Sequence, residues 1–168
     1  EEGASHVIVT SYVFKDGKIN YENLEKLVSA VGKEHVVLDL SCRYVTENSC
    51  DKELGDMEPG YYVVTDRWQK FTTEKVTLEL LDKLSAYCDE FLVHAVDVEG
   101  KQSGIQRELV ELLGEWGKLP ITYAGGIGNL EQLRKFEDIS HGKIDFTIGS
   151  ALDLFGGTME FKKIVKYK

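Results

Sequence analysis

Asp39 is the first residue whose type and place suggest chemistry, because it closes the apolar run VVLD at residues 36–39. In parallel βα folds the active site lies at the C-terminal ends of the strands. A carboxylate there can serve as a general acid or base, or it can simply start a loop by accepting backbone N–H groups. Two glycine turns are the second signal: LPITYAGGIG at residues 119–128 and IDFTIGSAL at 144–152. Each is an apolar run that breaks at glycine and hands over to a helical pattern. Such a turn leaves N–H groups bare, and the next helix adds its positive dipole end. Glycine also lets a phosphate approach where a Cβ would block it.

His94 and Asp97 share the run FLVHAVDV. Strict alternation points them to opposite faces, so they are not expected to line one site together. His94 can bond a substrate hydroxyl or phosphate, or exchange protons near neutral pH. A hydrogen-bonded core histidine is the equal alternative. Asp97, nearer the rim, reads as a cap for the loop at Gly100. Trp68, beside Arg67 in a long polar stretch, can fold over a ligand as part of a lid or peg that stretch to the core. The four histidines and three cysteines have neither zinc-site nor C-x-x-C spacing, so no metal is assigned. The odd count of Cys42, Cys50 and Cys88 favours free thiols in a reducing compartment over a Cys42–Cys50 pair.

The elements that must position these residues alternate along the chain. The pattern predicts a buried strand at 6–11 and a helix at 21–31 that stops at Gly32. A second strand follows at 36–40, and then a long polar stretch from 41 to 73 with a short strand or hairpin at 61–65. A helix is expected over 73–87, a strand over 91–98, a turn at 100–104 and a helix over 105–116. The first glycine-turn strand leads to a helix at 129–138 capped by Asn129. A last strand at 145–148 is followed by a turn at Gly156-Gly157 and a helix running to 166. Near-continuous apolar strands separated by helices imply a parallel sheet covered on both sides. With 168 residues and no Pro- or Ser-rich linker, residues 1–168 read as one domain. The two successive glycine turns fit the phosphate grip after the last two strands of a TIM barrel, although five βα units are not its eight. The net charge of −9 argues against sequence-independent nucleic-acid binding, and no apolar run is long enough to span a bilayer.

Taken together, the stretches GASHVIVTS, VVLDLSCR, TDRWQKF, DEFLVHAVDVEGKQSGI, ITYAGGI and HGKIDFTIGSALDLFGG resemble one family over nearly the whole chain. It is the eukaryotic form of the histidine-biosynthesis isomerases, the phosphoribosylformimino-5-aminoimidazole carboxamide ribotide isomerases, in its C-terminal portion. The resemblance implies a TIM (βα)8 barrel of which this chain covers about five units, the first three strands missing. It implies an Amadori rearrangement of a bisphosphorylated ribotide, aminoaldose to aminoketose, with no cofactor and no metal.

By the same resemblance Asp39 matches the fifth-strand aspartate, an acid that helps open the furanose ring. Its partner aspartate belongs to a first strand that this chain does not contain. Where bacterial relatives carry a threonine, an ungapped alignment places His94 and a one-residue shift places Ala95; His94 joins the catalytic set. Ala124, Gly125, Gly126, Gly149 and Ser150 match one phosphate grip, and Thr10 and Ser11 match the fourth-strand end of the other. Trp68 matches a loop tryptophan that covers the substrate, and Arg43 of VVLDLSCR joins the substrate-binding set. The alternatives are the related cyclase of the same pathway and a non-catalytic phosphate-binding half-barrel; DLSCR and HAVDVEG favour the isomerase. The expected partners are the small-molecule ribotide and, through an open barrel edge, a second copy. Neither nucleic acid nor membrane is expected, and the location is cytoplasmic, or plastid in a plant.

Overall fold

The computed structural model describes residues 3–47, 57–101 and 104–167. In chain order the elements are β1 (Val7–Val9), β2 (Phe14–Lys15), β3 (Lys18–Ile19), α1 (Tyr21–Val31), β4 (Val36–Asp39), β5 (Cys42–Val45), β6 (Gly60–Thr65) and β7 (Lys70–Lys75). They continue with α2 (Leu78–Leu84), β8 (Glu90–His94), α3 (Arg107–Trp116), β9 (Ile121–Ala124), α4 (Leu130–Ser140), β10 (Asp145–Thr147) and α5 (Phe161–Ile164). Five of the strands form one parallel sheet in the order β1-β4-β8-β9-β10. Sequence order equals spatial order, as in a barrel wall. The register pairs Asp39 with Leu92 and His94 with Ala124, so the strand ends that carry the candidate residues lie along one rim.

Alternation sorts the strand residues into two faces. Phe91, Val93, Ile121 and Tyr123 join Leu24, Leu81, Leu109, Leu113, Leu133 and Phe136 in the main core. Leu109, Leu113, Leu133 and Phe136 are fully buried. Ile8, Val37, Leu92, Thr122 and Thr147 line an open cavity on the opposite face. Among the described residues no element covers that face. The helices therefore cover one face, not both as the strand composition suggested. The same geometry corrects the buried strand expected at 6–11: β1 is three residues long, at the sheet edge, and its Ile8 is 61% exposed.

Helix boundaries follow their caps. Asn20 accepts from the Asn23 N–H to start α1, and Gly32, at φ 84°, ends it. Asn129 accepts from the Gln132 N–H to start α4, as the sequence indicated. The expected helix over 73–87 is displaced. Residues 70–75 pair as β7, and Thr77 caps the shorter α2 by accepting from the Leu80 N–H. Within the polar stretch after Asp39 the short strand expected at 61–65 is β6, and it is the centre of an antiparallel sheet in the order β5-β6-β7 that the sequence did not show. Part of that stretch, with Gly55 and Cys50, lies outside the described residues, as does part of the turn at 100–104. The C-terminal helix expected to reach 166 is the single turn α5. Among the described residues no helix is long and apolar enough to cross a membrane.

Candidate functional site at the C-terminal rim of the sheet

Asp39 ends β4 as a buried carboxylate. Its Oδ1 accepts a 2.9 Å hydrogen bond from the Ser41 hydroxyl and lies 3.6 Å from His94 Nδ1. The strand expected over 91–98 stops at His94, and Val96–Val98 forms a 3-10 turn. His94 thereby reaches the rim on the neighbouring strand and faces Asp39 across the gap. The separation is long for a hydrogen bond, and the buried Nδ1 has no other partner among the described residues. The contact is best described as a loose ion pair. The Asp39 carboxylate, first as acceptor for the ring N–H and then as a charge, raises the His94 pKa above its ordinary value. Glu99 adds to the rise and burial opposes it. A histidine beside a buried carboxylate at a strand end is the equipment of a proton-transfer site.

Asp97 does not cap the Gly100 loop. Its carboxylate accepts from Arg43 Nε at 3.1 Å and from the Tyr44 N–H at 2.8 Å, fastening β5 to the end of β8. The break at His94 is what frees Asp97 from strand alternation. Arg43 is thus tied to Asp97, with its guanidinium 5.2 Å from the Phe71 ring centroid. Ala95, the alternative to His94, is buried beside Gly125.

The two glycine turns meet. Ala124, Gly125, Gly126, Gly149 and Ser150 line one cavity of about 130 Å3, together with His94 and Glu99. Packing treats the glycines of the two turns differently. Gly126 has φ 76°, and a Cβ on it would sit 2.0 Å from the Gly104 carbonyl oxygen. Packing of backbone on backbone therefore requires that glycine, whatever the ligand. A Cβ on Gly149, which also lines the cavity, would meet nothing within 4 Å, so packing does not require glycine there. The first turn leads into α4, whose N-terminus adds positive potential. The second does not lead directly into a helix: residues 150–152 turn and bridge, and Asp153–Phe155 is a 3-10 turn. Among the described residues no lysine or arginine lines the cavity, so anion binding by them would rest on backbone N–H groups and the α4 dipole against the nearby Glu99 carboxylate.

Thr10 and Ser11 lie at the opposite end of the same rim. Thr10 precedes the 3-10 turn Ser11–Val13, and Ser11 lines a separate cavity of about 240 Å3 with Lys15, Gly17, Asp66 and Lys70. Along the rim the order is Thr10 and Ser11, Asp39, His94, then the glycine turns. Four strand steps separate β1 from β10, on the order of 19 Å at ~4.8 Å per step.

Trp68 closes over the centre of this row. Its Nε1 donates to the Ser41 hydroxyl oxygen at 3.2 Å, and its ring centroid is 6.1 Å from that of His94. The turn that presents it holds three consecutive non-glycine residues at positive φ: Asp66 51°, Arg67 58° and Trp68 69°. Left-handed backbone costs such residues about 1–2 kcal/mol each, so the tryptophan is held where it is against local preference. Ser41 is the site residue that sequence reasoning passed over. Nothing in its spacing marks it, because its partners come from a turn and a strand end that only the fold brings together.

Comparison with known proteins gives a consistent picture. Residues 1–159 match the model of a family described as histidine biosynthesis protein. A chloroplastic protein of Medicago truncatula, named 1-(5-phosphoribosyl)-5-((5-phosphoribosylamino)methylideneamino)imidazole-4-carboxamide isomerase, is 48% identical over 99% of this chain and 50% of its own length. Proteins carrying the same isomerase name from Yarrowia lipolytica and Neurospora crassa are 47% and 45% identical, over 92% and 94% of this chain and 57% and 58% of their own lengths. The chain thus spans about half the length of the curated relatives it matches.

Proposed function

The chain belongs to the histidine biosynthesis protein family, and from that premise we propose that it is the aldose–ketose isomerase part of that family's chemistry. In this reading it performs an Amadori rearrangement of a bisphosphorylated ribotide. Its residues correspond to strands four to eight of a (βα)8 barrel, and a first-strand aspartate supplies the second acid–base group. The substrate's aminoaldose becomes an aminoketose by proton movements alone. The furanose ring opens when its ring oxygen is protonated, a proton leaves C2, and the resulting enolamine tautomerises to the ketone.

Asp39 is the proposed acid for ring opening. His94, whose pKa the carboxylate beside it raises, is placed to pass a proton to the same group and can bond a sugar hydroxyl. Gly125, Gly126, Gly149 and Ser150, with Ala124, take one phosphate, and Thr10 and Ser11 take the other. Trp68 covers the sugar between them. Arg43 acts from its Asp97-bound position at the edge of the site. The observation that carries the proposal is the order along the rim: the glycine-turn cavity at one end, Thr10 and Ser11 at the other, and the Asp39–His94 pair in the middle. A substrate with a phosphate at each end and its reacting sugar between them fits that row.

The isomerase names of the relatives favour this reading over the related cyclase. The open sheet face is the observation that favours a non-catalytic phosphate-binding module, or pairing with a second copy, for these residues alone. A plant source would place the protein in a plastid, as the name of the Medicago truncatula relative does for that protein, and other sources in the cytoplasm. The test is conversion of the aminoaldose ribotide by the full-length protein, followed by the appearance of a ketone carbon in 13C NMR. Phosphate binding without that signal would leave the module and remove the isomerase.

A further inference from the structure

Ser41 is placed by three independent contacts. Its carbonyl accepts the Val64 N–H at 2.8 Å, which ties it to β6, the strand that runs into the Trp68 turn. Just before it, the Leu40 N–H donates to Leu92 O at 2.8 Å, which ties the neighbouring residue to β8. The side chain is buried and has one hydrogen to give. That hydrogen goes to Asp39 Oδ1, and the Ser41 Oγ in turn accepts the Trp68 indole N–H. The result is a directed chain, indole N–H to hydroxyl to carboxylate, in which each bond polarises the next. Both the Ser41 bond and the His94 contact fall on Oδ1. Among the described residues Oδ2 has no partner, so it is the oxygen left free for a substrate.

We infer that Ser41 is a positioning residue that couples the Trp68 turn to the orientation of the Asp39 carboxylate. Resting on the reading of Asp39 as the acid, this assigns Trp68 a task beyond cover. With the indole docked, Ser41 is locked as a donor and Asp39 presents Oδ2 to the substrate. With the turn released from its left-handed conformation, the hydroxyl rotates freely and the carboxylate loses its fixed aim. Closure of the turn and readiness of the acid are therefore one event.

Two readouts test this. The first uses this chain and needs no turnover: the indole N–H resonances of its two tryptophans, Trp68 and Trp116. Ser41→Ala is expected to shift the Trp68 resonance and speed its hydrogen exchange. It should leave the Trp116 indole, bonded to Asp82 at 2.7 Å, unchanged. The second uses the full-length protein. Ser41→Ala and Trp68→Phe are each expected to lower kcat about tenfold, and the double variant to fall no further than the worse single one. An unmoved Trp68 resonance, or effects of the two substitutions that multiply, would overturn the coupling. If Ser41→Ala fails to fold, Trp68→Phe in this chain tests the link from the other end: the Ser41 hydroxyl proton should then exchange faster, and unchanged exchange would refute it. Absence of turnover in the unmodified full-length protein would instead remove the isomerase reading and leave the indole result standing.

Discussion

Two alanine substitutions, one at each glycine turn, separate what the fold requires from what a bound phosphate requires. At Gly126 the new Cβ would lie 2.0 Å from the Gly104 carbonyl oxygen, with φ at 76°. The left-handed backbone costs about 1–2 kcal/mol and the forced repacking about 1–3 kcal/mol. Gly126→Ala should therefore destabilise by about 2–5 kcal/mol, a fall in Tm of roughly 4–20 °C for a chain of this size. At Gly149 the new Cβ meets nothing within 4 Å and the backbone is ordinary, so Gly149→Ala should leave Tm within ~2 °C of the parent. Its methyl group would stand in the cavity where the phosphate is proposed to sit. Losing one hydrogen bond to a charged group costs about 1.5–3 kcal/mol, so phosphate affinity should drop roughly 10- to 150-fold. Thermal melts and titration with ribose 5-phosphate measure both quantities on the same samples. Equal destabilisation by the two substitutions, or unchanged affinity in Gly149→Ala, would refute the division of roles.

Two further outcomes follow from the buried groups. The His94 ring should titrate by NMR above pH 6.5, and Asp39→Asn should bring it down, because burial then acts without the opposing carboxylate. Since the folded-state pKa is raised, the pair contributes its stability fully below the unfolded value near 6.5 and loses it as pH rises through the folded one. The stability gap between parent and Asp39→Asn should thus be larger near pH 6 than near pH 9; a gap that widens with pH would contradict the pairing. Cys42 and Cys88 should resist alkylation at pH 8 until the chain unfolds. Burial raises both thiols, with the Asp97 and Asp39 carboxylates adding to it at Cys42, and Cys88 is pushed up to about 12. Rapid labelling of either in the native state, read by mass spectrometry, would show that the site is open.

The sequence was most legible where local chemistry agrees with the fold. Gly32 and Asn129 mark helix ends that the structure keeps, and the apolar runs around Val37, Phe91 and Ile121 are strands of the parallel sheet. It was least legible between Asp39 and α2. Cys42–Val45 and Lys70–Lys75 are short polar strands that take their conformation from pairing with β6 rather than from an apolar pattern. The hairpin β2–β3 did carry a signal. Its FKDGKI turns on Asp16 and Gly17, both at positive φ, and an Asp-Gly pair there is a strong hairpin marker. For the site, Asp39 and the paired glycine turns were readable because strand ends and glycine breaks are local features. His94 was readable only as an alternative, since its meaning depends on β8 stopping at that residue and bringing it to Asp39. Ser41 was not readable at all, because its two partners lie on different elements.

The most direct measurement of the central claim is turnover of the aminoaldose ribotide by full-length protein carrying Asp39→Asn. The substitution keeps the shape at the end of β4 and removes the ionisable group. General acid–base catalysis contributes about 10²–10⁴-fold, and kcat should fall by that factor while the ribotide still binds. Turnover within a few-fold of the unmodified protein would show that the proton comes from elsewhere and that Asp39 is only the carboxylate that begins the loop.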